Sequence, residues 1–317
     1  MPELNKAACA INLMNTGTGE CVIDPKLIRG AIRTPKGKIF NATELLALQV
    51  TLAAARLAAL KSNRIFPIDG FTTPTDNSEE TVFQTMGDGS QVPVRDGHYR
   101  WLFQYQKGGL CKSIALRSHN FQDTEWLFFD DNNLLIGYRR QITPGVYGLA
   151  GIPLVFHAMP WKMATGSEVS AYRVMFDFEA KYINDYLGFV QADFPLSEIQ
   201  GLQNLVLRQT GASAAGVIKI QVLAGCDYAN QYDLYNTELA AVGLWTAINA
   251  ATGNAISLTS VVADPNAKAF TITLTAADPD YPAIAGGLVT LNLADPAALD
   301  AADVSGYEGI PVTVQRG

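Results

Sequence analysis

The sequence predicts a mainly β chain of two domains with one flanking α-helix, and three observations predict it. Apolar and polar side chains alternate over 98–105 and 169–182, the period of a sheet with one dry face. The stretch 41–61 repeats its apolar residues at helical intervals instead. Composition also changes near Leu205. Residues 1–204 hold 23 of the 30 aromatic residues, with 19 basic and 20 acidic side chains, whereas 205–317 hold 4 basic and 10 acidic. The 317 residues suffice for two cores.

The elements follow in order. Asn41-Ala42-Thr43-Glu44 has capping-box spacing, and Leu45, Leu48, Leu52, Ala55 and Leu60 follow at roughly helical intervals, with an expected end at Lys61-Ser62-Asn63. Tyr99, Trp101, Phe103 and Tyr105 share one face of a strand, with His98, Arg100 and Gln104 opposite. The runs 126–129 and 134–136 flank Asp130-Asp131-Asn132-Asn133, a hairpin turn. The longest strand is expected over 169–182. Tyr172, Val174, Phe176 and Phe178 lie on its dry face, and Arg173, Met175, Asp177, Glu179 and Lys181 on its wet one. The small, flexible run 209–216 places a linker over 205–216, between an N-terminal domain (1–204) and a C-terminal one (217–317). The latter has β-runs at 217–223, 255–262, 269–275, 288–293 and 310–314, most set apart by turns such as Asp264-Pro265-Asn266. Such spacing without a long helix predicts an immunoglobulin-like β-sandwich, with Trp245 as a core plug.

Chemistry is sparse. A net charge of −7 argues against a binder of nucleic acid held by phosphate contacts. His98, His119 and His157 sit in separate segments without zinc-type spacing, and no P-loop, dinucleotide fingerprint or nucleophile elbow occurs. Asp123, Glu125, Asp130 and Asp131 lack the pattern of a calcium loop and read as solvated turn acids. No catalytic, cofactor-binding or metal-binding residue is assigned. Cys9, Cys21, Cys111 and Cys226, far apart in sequence, read as reduced thiols of a protein made in the cytoplasm. No secretory signal is visible, and the apolar stretch 45–60 is too short and interrupted for a membrane span.

The polar segment 70–97 stands out because its apolar residues are few and its strand propensity is broken by turns. Two readings stay open: a surface loop with a hairpin, or a protruding arm that orders against a neighbouring subunit. The arm reading assigns Phe71, Thr73, Asp76, Asn77, Glu79, Val82, Phe83, Val92 and Arg95 to the contact.

One run of residues extends from Asn5-Lys6 through Ile11-Asn12-Leu13 and Thr16-Gly17 to Cys21-Val22-Ile23-Asp24, and Thr75-Asp76-Asn77-Ser78-Glu79 and Tyr182-Ile183-Asn184-Asp185 add to it. With these residues, the layout resembles the major tail tube proteins of tailed phages and prophages. The resemblance implies an N-terminal β-barrel or sandwich flanked by a helix, an extended arm to the next ring, and an appended immunoglobulin-like domain. It further implies a virion protein, assembled in the host cytoplasm into stacked, usually hexameric rings, with no enzymatic activity. Its partners would be copies of itself and other tail proteins such as the tape measure and terminator, with DNA as transient cargo in the lumen and no membrane anchor. On that view Arg173, Asp177, Glu179 and Lys181 are lumen-facing candidates. A capsid subunit is the nearest rival, but it calls for a long spine helix, or for about sixteen strands in a double jelly roll. A virion surface adhesion module that binds carbohydrate is another, though no cluster of aromatics in 217–317 supports it.

Overall fold

The computed structural model describes residues 4, 26–105, 108–165, 170–211, 216–282 and 287–315. The chain is mainly β and divides into two compact units, Met1–Arg56 with Ser62–Gln200 and Leu57–Lys61 with Gly201–Gly317. The resemblance over 5–24 and the start of the strand expected at Val169 lie outside the described residues.

In the first unit, β1 (Ile28–Thr34) and β2 (Ile39–Phe40) lead to a helix in two pieces, α1 (Ala42–Leu46) and α2 (Leu48–Arg56). Next come β3 (Phe66–Asp69), β4 (Phe71–Asp76), β5 (Val82–Thr85), β6 (Gln91–Arg95), β7 (His98–Tyr105) and α3 (Gly109–Arg117). The unit continues through β8 (Thr124–Asp130), β9 (Leu134–Thr143), β10 (Val146–Ala150) and β11 (Ile152–Ala158). It closes with β12 (Tyr172–Glu179), α4 (Lys181–Asn184) and β13 (Leu187–Gln191). Eleven of these strands form one antiparallel sheet, curled into a half-barrel, with main order β2-β10-β9-β8-β11-β12-β7-β4.

The helix begins where the sequence places it. Asn41 Oδ1 accepts from the Glu44 amide at 3.0 Å, and Glu44 Oε2 accepts from the Asn41 amide at 2.9 Å, closing the capping box. Leu45, Leu48 and Leu52 are buried against the sheet. The helix breaks at Ala47 and ends at Arg56, so Leu60 lies beyond it and is exposed. A second flanking helix, α3, was not foreseen. It starts after Gly108 in the left-handed conformation and buries little beyond Ser113 and Leu116, which leaves a weak apolar stripe to detect.

At the expected 130–133 turn, Asp130 Oδ1 accepts from the amides of Asn132 and Leu134, both at 2.8 Å, and Oδ2 from that of Lys26 at 2.8 Å. Asp130 is thus buried, as is Glu125, which corrects their assignment as solvated acids. The sequence around them is turn-like, but pairing with β1 encloses both.

Every residue of β8 is buried. Trp126 and Phe128 face an aromatic core inside the curl, whereas Leu127 and Phe129 face the layer that holds α1 and α2. Phe176 of β12 is central to the first core, its ring within 5.0–5.9 Å of Trp126, Phe128, Phe156 and Phe103. Strand β12 stops at Glu179 because Ala180 turns to helical dihedrals. Lys181 consequently belongs to α4 and not to the strand face on which it was placed.

The second unit holds β14 (Gln203–Gln209), β15 (Val217–Ala224), β16 (Ala229–Asn230), α5 (Tyr232–Tyr235), β17 (Trp245–Asn249) and β18 (Ala255–Ile256). It continues with β19 (Leu258–Asp264), β20 (Ala269–Leu274), β21 (Leu288–Leu293), α6 (Pro296–Ala301), β22 (Tyr307–Ile310) and β23 (Val312–Gln315). One sheet runs β19-β20-β15-β14-β22 with β16 on β15, and the other runs β18-β17-β21-β23. They share a core that includes Ile218, Ile220, Trp245, Phe270 and Leu291. Trp245 is the expected plug, its Nε1 donating to the Leu239 carbonyl at 2.7 Å.

Two further expectations are corrected. Residues 205–209, placed in a linker, belong to β14, which pairs with β15 and β22. Leu205 and Leu207 are buried there, and the second unit takes in the chain from Gly201 onward. The rest of that stretch is partly outside the described residues, at 212–215. Cys111 and Cys226 each take part in a disulfide rather than remaining reduced. Separation along the chain says nothing about the Cα approach that a disulfide needs.

Candidate assembly surface

The segment 77–97 is rooted on the edge of the half-barrel. Strand β4 pairs with β7, and the pairing runs on past its end, with the Asn77 amide donating to the Arg100 carbonyl at 2.9 Å and that of Glu79 to the His98 carbonyl at 2.8 Å. Asp76 Oδ1 accepts from the Ser78 amide at 2.9 Å and so turns the chain outward. Gly97 closes the root, since a Cβ there would overlap the Glu79 carbonyl. Thr73, exposed and with φ of 44°, sits in a bulge between Thr72 and Thr75.

Beyond this root, β5 and β6 pair only with each other among the described residues. Every residue of both strands is exposed. Val82, Phe83, Met86, Val92 and Val94 are between 44% and 59% accessible. Phe71 is the exception among the assigned arm residues. It is fully buried and stacks on Phe103 at 4.9 Å, so it belongs to the core. Its polar neighbours suggest a loop, whereas register pairing with Tyr105 fixes it inside.

The wet face of β12 and β7 carries a charge network. Asp177 Oδ2 accepts from Arg100 Nε at 3.0 Å, and Asp177 Oδ1 lies 3.2 Å from His98 Nδ1. Glu79 reaches Arg95 at 3.4 Å and Arg100 at 3.5 Å, tying the arm root to the sheet. The hydrogen bond to Asp177, with its charge, holds the Arg100 guanidinium above its ordinary pKa. Glu179 pairs with Lys181, which raises the lysine in the same way. Arg173, half-buried, faces Gln104 in register, and its buried Nε has no hydrogen-bond partner among the described residues. The structure thus brings Asp76, Asn77, Glu79, Arg95 and Asp177 to one place and leaves Arg173 apart.

Sequence reasoning missed the carboxylate beside His98. A strand pairing 79 residues long in sequence creates it, and the alternation of 98–105 and 172–179 was the one available sign. A groove of about 360 Å³ opens beside it, lined in part by Glu80, Phe83, Tyr99 and Asn184. Among the described residues no group of three metal-ligating side chains gathers, and no helix is long and apolar enough to cross a membrane. No protein-family model, curated protein or solved structure matches the chain.

Proposed function

We propose that the chain is a structural subunit that assembles with copies of itself, in the manner of the major tail tube proteins of tailed phages and prophages. In this reading the first unit forms rings that stack into a tube conducting double-stranded DNA. The second, an immunoglobulin-like decoration, stands outside the wall. No reaction is performed.

The observation that carries the proposal is the β5–β6 hairpin, free on both edges among the described residues and bearing five large apolar side chains in water. A lone two-stranded hairpin is marginal in water, and an unpaired edge invites another chain. Contact between copies answers both. The outer face of β7 and β12 suits a lumen, because each of its carboxylates at Asp177 and Glu179 is matched by a cation. Such a face offers no run of unmatched cations to hold phosphates.

The test replaces 81–95 in the full chain by a short Gly-Ser turn. The variant is expected to keep the parent's melting temperature within a few degrees and to stay monomeric by analytical ultracentrifugation. The parent is expected to form rings or tubes in negative-stain micrographs. Equal assembly by both chains would sink the reading.

A further inference from the structure

We infer that the β5–β6 arm of one copy docks on the β9–β10 turn of the next, in a head-to-tail contact. The inference rests on the reading of the chain as a self-assembling subunit and names the receiving surface, which that reading leaves open.

The topology places the two hairpins at opposite ends of the sheet. From β7 to β9 the ladder passes through β12, β11 and β8, every step antiparallel, so β7 and β9 run in the same direction. The arm precedes β7, whereas the β9–β10 turn follows β9. One therefore leaves the sheet where the other does not. Four strand spacings, ~19 Å along the curled sheet, also separate them sideways.

Their surfaces are complementary. Residues 77–97 carry four acidic side chains and one basic, with Glu79 paired to Arg95 and Arg100, whereas 138–147 carry Arg139 and Arg140 and no acid, with Arg140 paired to Glu125. The turn also exposes apolar groups, with Ile142, Val146 and Tyr147 between 41% and 51% accessible. Arg139 lies over the Tyr147 ring at 5.0 Å, a flat cationic platform. Apolar residues ringed by opposite charge on opposite ends describe a heterologous contact, which propagates from copy to copy instead of closing on itself in a pair.

The experiment places the photo-crosslinker p-benzoylphenylalanine at position 83 of the full chain and irradiates a mixture of isotopically light and heavy copies. Mass spectrometry is expected to find light-to-heavy crosslinks in 139–147. In parallel, Arg139→Glu is expected to raise the concentration needed for assembly at least tenfold. Adding Glu80→Lys and Asp96→Lys to the same chain is expected to restore it. If the parent assembles but its crosslinks fall elsewhere, or Arg139→Glu assembles like the parent, the docking assignment is wrong and the arm's role in assembly stands. A parent that stays monomeric at every concentration overturns both. The crosslinking result decides the matter even where a charge variant fails to fold.

Discussion

Asp177 stands directly opposite Arg100 in the β12–β7 ladder, and its carboxylate takes a 3.0 Å hydrogen bond from the arginine Nε. Arg100 also lies 3.5 Å from Glu79, so a single guanidinium links a strand of the half-barrel to the root of a free hairpin. Exposed pairs of this kind add little to stability. Their effect here is on where the arm points more than on whether the unit folds.

Asp177→Asn is therefore expected to leave the thermal midpoint almost unchanged and to loosen the root. Trypsin cleavage after Arg95 should accelerate severalfold, as followed by limited proteolysis. An unchanged cleavage rate would show that the network does not hold the arm.

Phe176 packs against five aromatic rings and is fully inaccessible. Phe176→Ala should cost about 3–5 kcal/mol, read from urea denaturation. A loss below 1 kcal/mol would mean that the core collapses around the gap.

Asn41→Ala removes one half of the capping box and frees the Glu44 amide. The expected cost is about 1 kcal/mol in the same assay, and Asn41→Ser should recover most of it.

Burial pushes the Glu125 carboxyl above the usual carboxylate range, against the lowering pull of the Gly37 amide and Arg140. The folded chain thus binds this proton more readily than the unfolded chain. The resulting stabilisation is present in acid and is lost as pH rises through the elevated folded value. Glu125→Gln should accordingly raise the melting temperature at neutral pH, with the gain shrinking toward about pH 3, where both states are protonated. A gain independent of pH would assign the effect to packing.

Much of the scaffold could be read from local pattern. The Asn41 cap, the turn at Asp130, the dry face of β7 and the Trp245 plug each follow from residues close in sequence, and each is present. What escaped depends on partners far along the chain. Phe71 is buried by pairing with Tyr105, β14 is recruited by β15 and β22, and Cys111 and Cys226 each enter a disulfide. The alternation through Lys181 misled for the opposite reason, since a polar residue happens to continue a pattern that the backbone has already left at Ala180. At the candidate surface, the exposure of Val82, Phe83 and Val92 accords with either reading of 70–97, while the pairing of Asp177 with Arg100 and His98 required the ladder register.

Because β8 serves as a party wall, with an occupied room on either side, neither room can be emptied alone. Melting of the helical layer strips one face of that strand and takes the aromatic interior with it, so the whole half-barrel is expected to give way in a single step. A hairpin bolted to such a body passes any pull it feels to all of it at once.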